Sequence, residues 1–347
     1  MFKPDRTAVV KKIIGIMPLL LIVALFVLST GFASGIMPKR SDRNIISNNK
    51  ISGGEYINNT GEVQAKHRHF ELSELLMNQS EEVPVLLYHH IAEEVTSDTI
   101  VSPEIFENQI KTLTDSGYTG IFFDQLAAYV EGEGELPEKP IIITFDDGYL
   151  SSYELAFPIL KKYDMKATIF VIGISVGKET YRNSGDNDFK ILPRFNYEQA
   201  NEMIASGIVS IQSHSYDMHH WEPFEILLNG RYRDGILPFE DESIDEYRNN
   251  FTADCMLAKT QLEAETGMKL TAYAYPQGRY TEENDRILRE IGIKATVTSH
   301  YGSNYVVKYM PETIYNLRRM MIDNIPGEQV LEILREFSVM GAWDMRD

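Results

Sequence analysis

From Val83 onward, short apolar runs alternate with longer segments in which apolar residues return every three or four positions. The series opens with VPVLLYHH, SPEIFENQIKTLTDSG, YTGIFF and FDQLAAYVEG, and continues with KPIIITFDDGY, SSYELAFPILKKYDM, KATIFVIGI, NYEQANEMIASG and IVSIQSHS. After an irregular insertion it resumes with FTADCMLAKTQLEAETG, TAYAYPQG, TEENDRILREIG, IKATVTS, IYNLRRMMI and PGEQVLEILREF. A short run that is apolar throughout fits a strand covered on both faces, and a period near 3.6 fits an amphipathic helix. Alternation repeated this often predicts an α/β fold, a mainly parallel sheet with crossover helices. With about seven such units, a closed or nearly closed barrel is favoured over an open sheet. No repeat of fixed period is present.

Polar residues fall at particular points of this pattern. Tyr88-His89-His90, Asp146-Asp147 and His214 each directly follow an apolar strand core. In parallel α/β folds the carboxyl ends of the strands carry the functional groups. Three strands are therefore expected to deliver acids and histidines to one rim.

The pattern differs upstream. Residues 13–37 are uncharged and follow a basic tail, 1–12, that holds Lys3, Arg6, Lys11 and Lys12. A run of this length spans a bilayer, and the preceding cations favour a cytoplasmic N-terminus. Cleavage after GFA (31–33) would instead make it a signal peptide, but the run is longer than a signal peptide needs. The expectation is an uncleaved single-pass anchor with the following chain outside, or a secreted chain if the segment is removed. Residues 38–82, rich in Asn, Ser and Gly, read as a flexible linker that holds His67 and His69 in solvent. Residues 83–347 form the one folded domain.

Residues 1–43 hold seven Lys/Arg against two Asp/Glu, a balance of +5, which leaves the rest at −23 beside the whole chain's −18. So acidic a surface argues against nucleic acid or anionic lipid as the main partner and suits a neutral or amine-bearing substrate. The single cysteine, Cys255, stands in a helical pattern, where a small buried apolar role fits better than a nucleophile.

The strand ends carry the candidate chemistry. In ITFDDGY (143–149), Gly148 supplies a turn after two adjacent carboxylates that repel one another unless a cation joins them. SHSYDMHH (213–220) holds three of the chain's eight histidines. Histidine pairs with a carboxylate form the open three-ligand site usual for catalytic zinc. His214 and His219 are not at one-face helical spacing, so they must come from a strand end and the loop beyond it.

TFDDG (144–148) followed by SHS…H, with YHHI (88–91) before and AYPQGRY (274–280) after, resembles the polysaccharide deacetylases of carbohydrate esterase family 4, the NodB-homology domain, from about Val83 to about Arg319. The resemblance implies a distorted (β/α)7 barrel and a divalent metal, zinc first and cobalt, nickel or manganese as alternatives. It implies removal of N-acetyl groups from an amino-sugar polysaccharide, such as an N-acetylglucosamine polymer or peptidoglycan. Asp146 matches the family's base, Asp147 its metal ligand and His214 its first histidine ligand. The usual spacing places the second ligand at Met218, a poor zinc ligand, whereas the spacing of the biofilm poly-N-acetylglucosamine deacetylases selects His219. His220 then falls outside the ligand set, supporting it or facing substrate. The first-strand histidine of that branch matches His89 as general acid, although a buried histidine bonded to Asp146 fits the same geometry.

Departures from the family are visible too. Ala274 stands where the RxPY arginine is usual, and neither the aspartate-tryptophan motif nor the late Leu-x-His element is evident. NLRR (316–319) replaces the latter, with Arg319 resembling the arginine of a Leu-x-Arg variant. Arg319, Tyr149 and Tyr275 are expected to meet substrate, and a backbone N–H near Tyr275 to face the oxyanion. The stretches 221–250 and 177–190 are expected as loops at the rim. A catalytically inactive carbohydrate-binding module and an O-acetyl esterase remain alternative functions.

Overall fold

The computed structural model describes residues 80–182, 188–219, 233 and 235–344. The expected membrane segment at 13–37, nearly all of the linker, His220 and most of the stretch after it lie outside the described residues. Among the described residues no helix is long and apolar enough to cross a membrane.

Eight strands make the main sheet: β1 (Val85–Tyr88), β2 (Thr119–Gly120), β3 (Pro140–Phe145), β4 (Ala167–Val171), β5 (Val209–Ser213), β6 (Ala272–Ala274), β7 (Ala295–Val297) and β8 (Met320–Met321). Their order is β7-β6-β5-β4-β3-β1-β8, with β2 added on β3, and every pairing is parallel. Just before β8, Leu317 forms a parallel bridge to Val297 of β7, so the segment that ends the sheet on one side also touches its other edge. The result is a curled parallel sheet with helices, the architecture expected of the barrel.

Residues of β1 and β3–β7 are buried throughout, as two-sided coverage demands. Leu86, Ile143, Ile169 and Ile211 pack with Phe106 and Ile110 of α1 (Pro103–Asp115) and with Phe251 of the long helix after β5. The alternate positions Val85, Ile142, Phe170, Ala272, Ala274, Ala295 and Val297 form a second cluster with α2 (Phe123–Val130). Four of those seven are Ala or Val at β6 and β7, where small side chains let the sheet curl tightly.

Two differences from the sequence expectation have local causes. Ser80–Glu82, assigned to the linker, is a strand antiparallel to Tyr305–Val307. The helix after β5 begins inside the expected loop 221–250. Ser243 caps it: its Oγ accepts from Glu246 N, and Glu246 accepts the Ser243 N–H in return. The remaining helices are α3 (Phe157–Lys162), α4 (Tyr197–Ala205), α5 (Ile244–Thr266), α6 (Glu282–Glu290) and α7 (Gly327–Asp344).

Candidate metal centre

β3 ends at Phe145, and the chain turns at once through Asp147 (φ 70°) and Gly148 (φ 71°). Left-handed backbone is natural for Gly148, where a Cβ would stand 2.9 Å from Val171 Cγ1, but costly for Asp147. The turn points the two adjacent carboxylates along the sheet rim. Two strands away in order, β5 ends at Ser213, and Ser215 makes a second left-handed turn at φ 73°. His214 Nδ1 donates to Ala274 O at 2.8 Å, which leaves Nε2 as the bare nitrogen.

That nitrogen meets the acids. His214 Nε2 is 3.8 Å from Asp147 Oδ1 and 3.7 Å from Asp146 Oδ2, and His219 Nε2 is 3.7 Å from Asp147 Oδ1. The ligand atoms of Asp147, His214 and His219 all lie within 4.8 Å of one another. Asp147 Oδ1 is buried and has no hydrogen-bond partner. A buried carboxylate oxygen left bare beside two imidazole nitrogens fits a cation. Zinc bonds of about 2.0–2.2 Å place tetrahedral donors roughly 3.3–3.6 Å apart, so the two Asp147–histidine distances need contract by only a few tenths of an ångström and the two histidine nitrogens by about 1 Å. Met218 is 2% exposed and belongs to the helix-side core, so the turn sends it inward and His219 to the rim.

Asp146 is held differently. Arg319 Nη1 and Nη2 each donate to one of its oxygens at 2.7 Å, while Arg319 Nε donates to Thr298 O at 2.6 Å. Burial alone pushes the Asp146 carboxyl up, and the Arg319 guanidinium, aided by His214 and His89, outweighs it and holds the group well below the usual carboxylate range. Burial likewise opposes ionisation of Asp147, and the nearby Arg194, His219, His214 and His89 reverse that effect.

Residues 133–296 match the family model described as polysaccharide deacetylase. The chain contains a polysaccharide deacetylase domain. It is 32% identical over 221 residues to YxkH of Bacillus subtilis strain 168, covering 64% of this chain and 66% of that protein. It is 26% identical over 194 residues to the poly-beta-1,6-N-acetyl-D-glucosamine N-deacetylase of Staphylococcus aureus strain MRSA252, covering 56% of this chain and 59% of that protein. The chain thus spans under two thirds of the length of these relatives. Among solved structures, IcaB from Ammonifex degensii is 27% identical with a TM-score of 0.55, covering 74% of this chain and 97% of that one. The Streptococcus pyogenes deacetylase PplD, at 24% identity and a TM-score of 0.57, shares the fold.

Within the deacetylase domain, the structure gathers Asp146, Asp147, His214 and His219 and sets His89 near them. His89 is half-buried, its Nδ1 lacks a hydrogen-bond partner, and it acts electrostatically on both aspartates. Two of the three residues expected to meet substrate, Arg319 and Tyr275, are placed otherwise. Arg319 is 1% exposed and fully engaged with Asp146, Thr144 and Thr298, so it presents no face to a substrate. The ring of Tyr275 is buried against Tyr280 at 4.8 Å and its hydroxyl donates to Asp285. Its N–H, expected near the oxyanion, is donated to Val297 O at 3.0 Å. Tyr149 lies beneath the Arg194 guanidinium at 3.7 Å and beside His90 at 5.1 Å. Burial and the Asp147 charge push its hydroxyl up to about 12, so it remains a donor at neutral pH.

The sequence reading missed Arg194 and Asp254. Arg194 reaches the site from the far side of the 177–190 insertion, and no local pattern marks it. Asp254 carries a readable signal: it is the one carboxylate on the buried stripe Phe251, Asp254, Cys255, Ala258, Leu262 of α5.

Proposed function

We propose that the domain is a metal-dependent N-deacetylase of N-acetylglucosamine polymers, displayed outside the membrane by an anchor at 13–37. The observation that carries the reading is the convergence of bare Asp147 Oδ1 with the Nε2 atoms of His214 and His219, beside an ionised Asp146. The name of the staphylococcal relative supports the substrate class. A divalent cation such as zinc, held by these three groups, supplies Lewis acidity toward water and an amide carbonyl.

The chain's own groups do the rest. Arg319 fixes both oxygens of Asp146 and keeps it ionised, so a lone pair remains to accept a proton from the attacking water. His214, tied to Ala274 O, cannot turn away from the aspartates. His89 stands on the β1 side of the same rim and gives a proton to the departing sugar amine as the C–N bond breaks. Acetate and a free amine are the products. Tyr149, pinned by Arg194, holds its hydroxyl toward Asp147 and steadies that carboxylate.

The test is acetate release from N-acetylglucosamine oligomers by purified chain loaded with zinc or cobalt. Asp146→Asn should bind metal normally and lose turnover by ~10²-fold or more, and His219→Ala should bind metal more weakly but still measurably, through Asp147 and His214. No acetate from any amino-sugar polymer, with metal shown bound, would sink the reading. An inactive binding module would give that outcome. For placement, protease added to intact cells should remove the domain, and full protection would refute an external position.

A further inference from the structure

The turn that carries His219 has its backbone accounted for on both sides. The carbonyls of Ser215 and Tyr216 accept from Gly173 N at 3.0 Å and Ile174 N at 2.9 Å, which come from the loop after β4. Its amides face the opposite way, toward α5. Asp254 Oδ2 accepts the Tyr216 N–H at 2.8 Å and Asp254 Oδ1 accepts the Asp217 N–H at 2.7 Å. Asp254 is 0% exposed, and among the described residues its hydrogen bonds come from these two amides; burial pushes its carboxyl up to about 7, against the pull of the Arg233 charge. A carboxylate is an expensive residue to bury in a helix core stripe. A fixed pair of donors that meets two separate acceptor oxygens explains it, because Asn, the neutral side chain of the same shape, has only one.

We infer that Asp254 is the positioning residue for His219: its two oxygens hold the 216–217 amides so that the following residues send Met218 into the core and His219 to the rim. This rests on reading Asp147, His214 and His219 as a metal centre. His214 needs no such help, since it directly follows β5 and is tied to Ala274 O. Asp254 therefore acts on one ligand of the three, without touching metal or substrate.

The experiment is a double-mutant cycle on the full chain, read by the visible absorption of bound cobalt and by its affinity. Asp254→Asn keeps size and shape but turns an N–H₂ toward one amide. In the wild-type background it should weaken cobalt binding about ten-fold or more and shift the spectrum toward that of His219→Ala. In the His219→Ala background the same change should cost less than about two-fold, because the residue it positions is gone. An equal loss in both backgrounds means general damage to the fold and overturns the proposal, as does unchanged affinity in the wild-type background. Asp254→Glu, which keeps the charge but shifts the oxygens by one methylene, is measured in parallel and should follow the same pattern if Asp254→Asn does not fold. A wild-type chain that binds no cobalt refutes the metal centre itself, and the proposal with it.

Discussion

Asp146 is 3% exposed, and its ionised form depends on the two 2.7 Å bonds from Arg319. Arg319 reaches that carboxylate from the position just before the last strand. Breaking a buried pair of this kind leaves an uncompensated charge and costs about 3–5 kcal/mol. Because the folded-state value of Asp146 is held below its ordinary one, its contribution to stability is complete above about 3.9 and fades only in stronger acid. Arg319→Ala reverses the sign. Burial would then raise the carboxyl, the folded state would bind the proton more tightly, and the variant would recover stability as pH falls. The gap in melting temperature between wild type and Arg319→Ala should therefore narrow between about pH 7 and about pH 4. The acid limb of its residual activity should also move to higher pH. A gap that stays constant with pH would show that Arg319 acts only by packing. Arg319→Lys, with a single donor point in place of the fork, should fall between the two.

Two strand-ending turns build the site, and they differ in how far the sequence exposes them. Asp-Asp-Gly after β3 is legible only in part: Asp-Gly is common turn chemistry, and it is the mutual repulsion of two carboxylates at a strand end, with histidines at another, that points to a cation. The His214 to His219 gap is legible as loop spacing, and only the burial of Met218 explains why it is five. Most strands and helices were readable as well, since apolar runs and 3.6-residue stripes are local signals. What was not readable depends on distant partners. Arg319 finds Asp146 across 173 residues of chain, and Ser80–Glu82, polar and short, is a strand only because Tyr305–Val307 lies beside it. Tyr275 was expected at substrate because aromatic residues serve both core and cleft, and only its contacts with Asp285 and Tyr280 show the core role. The start of α5 was a signal overlooked: Ser243 and Glu246 form a capping box readable without any structure.

Across the whole chain, charge is divided between a basic start, +5 over residues 1–43, and a remainder of −23. An acidic domain is indifferent to a neutral acetylated polymer but attracts the ammonium groups that deacetylation creates. Each acetyl removed should therefore strengthen the hold on that strand, so a partly deacetylated polymer stays near the rim for further cleavage. Such attraction is long-ranged only at low salt, since the screening length shrinks from about 30 Å at 0.01 M to about 8 Å at 0.15 M. Binding can be measured without turnover by co-sedimenting Asp146→Asn chain with polymer at several ionic strengths. Partly deacetylated polymer should lose affinity several-fold as salt rises through that range, whereas fully acetylated polymer of equal length should change little. Equal salt dependence for the two polymers would mean that the charge serves solubility and plays no part in holding the product.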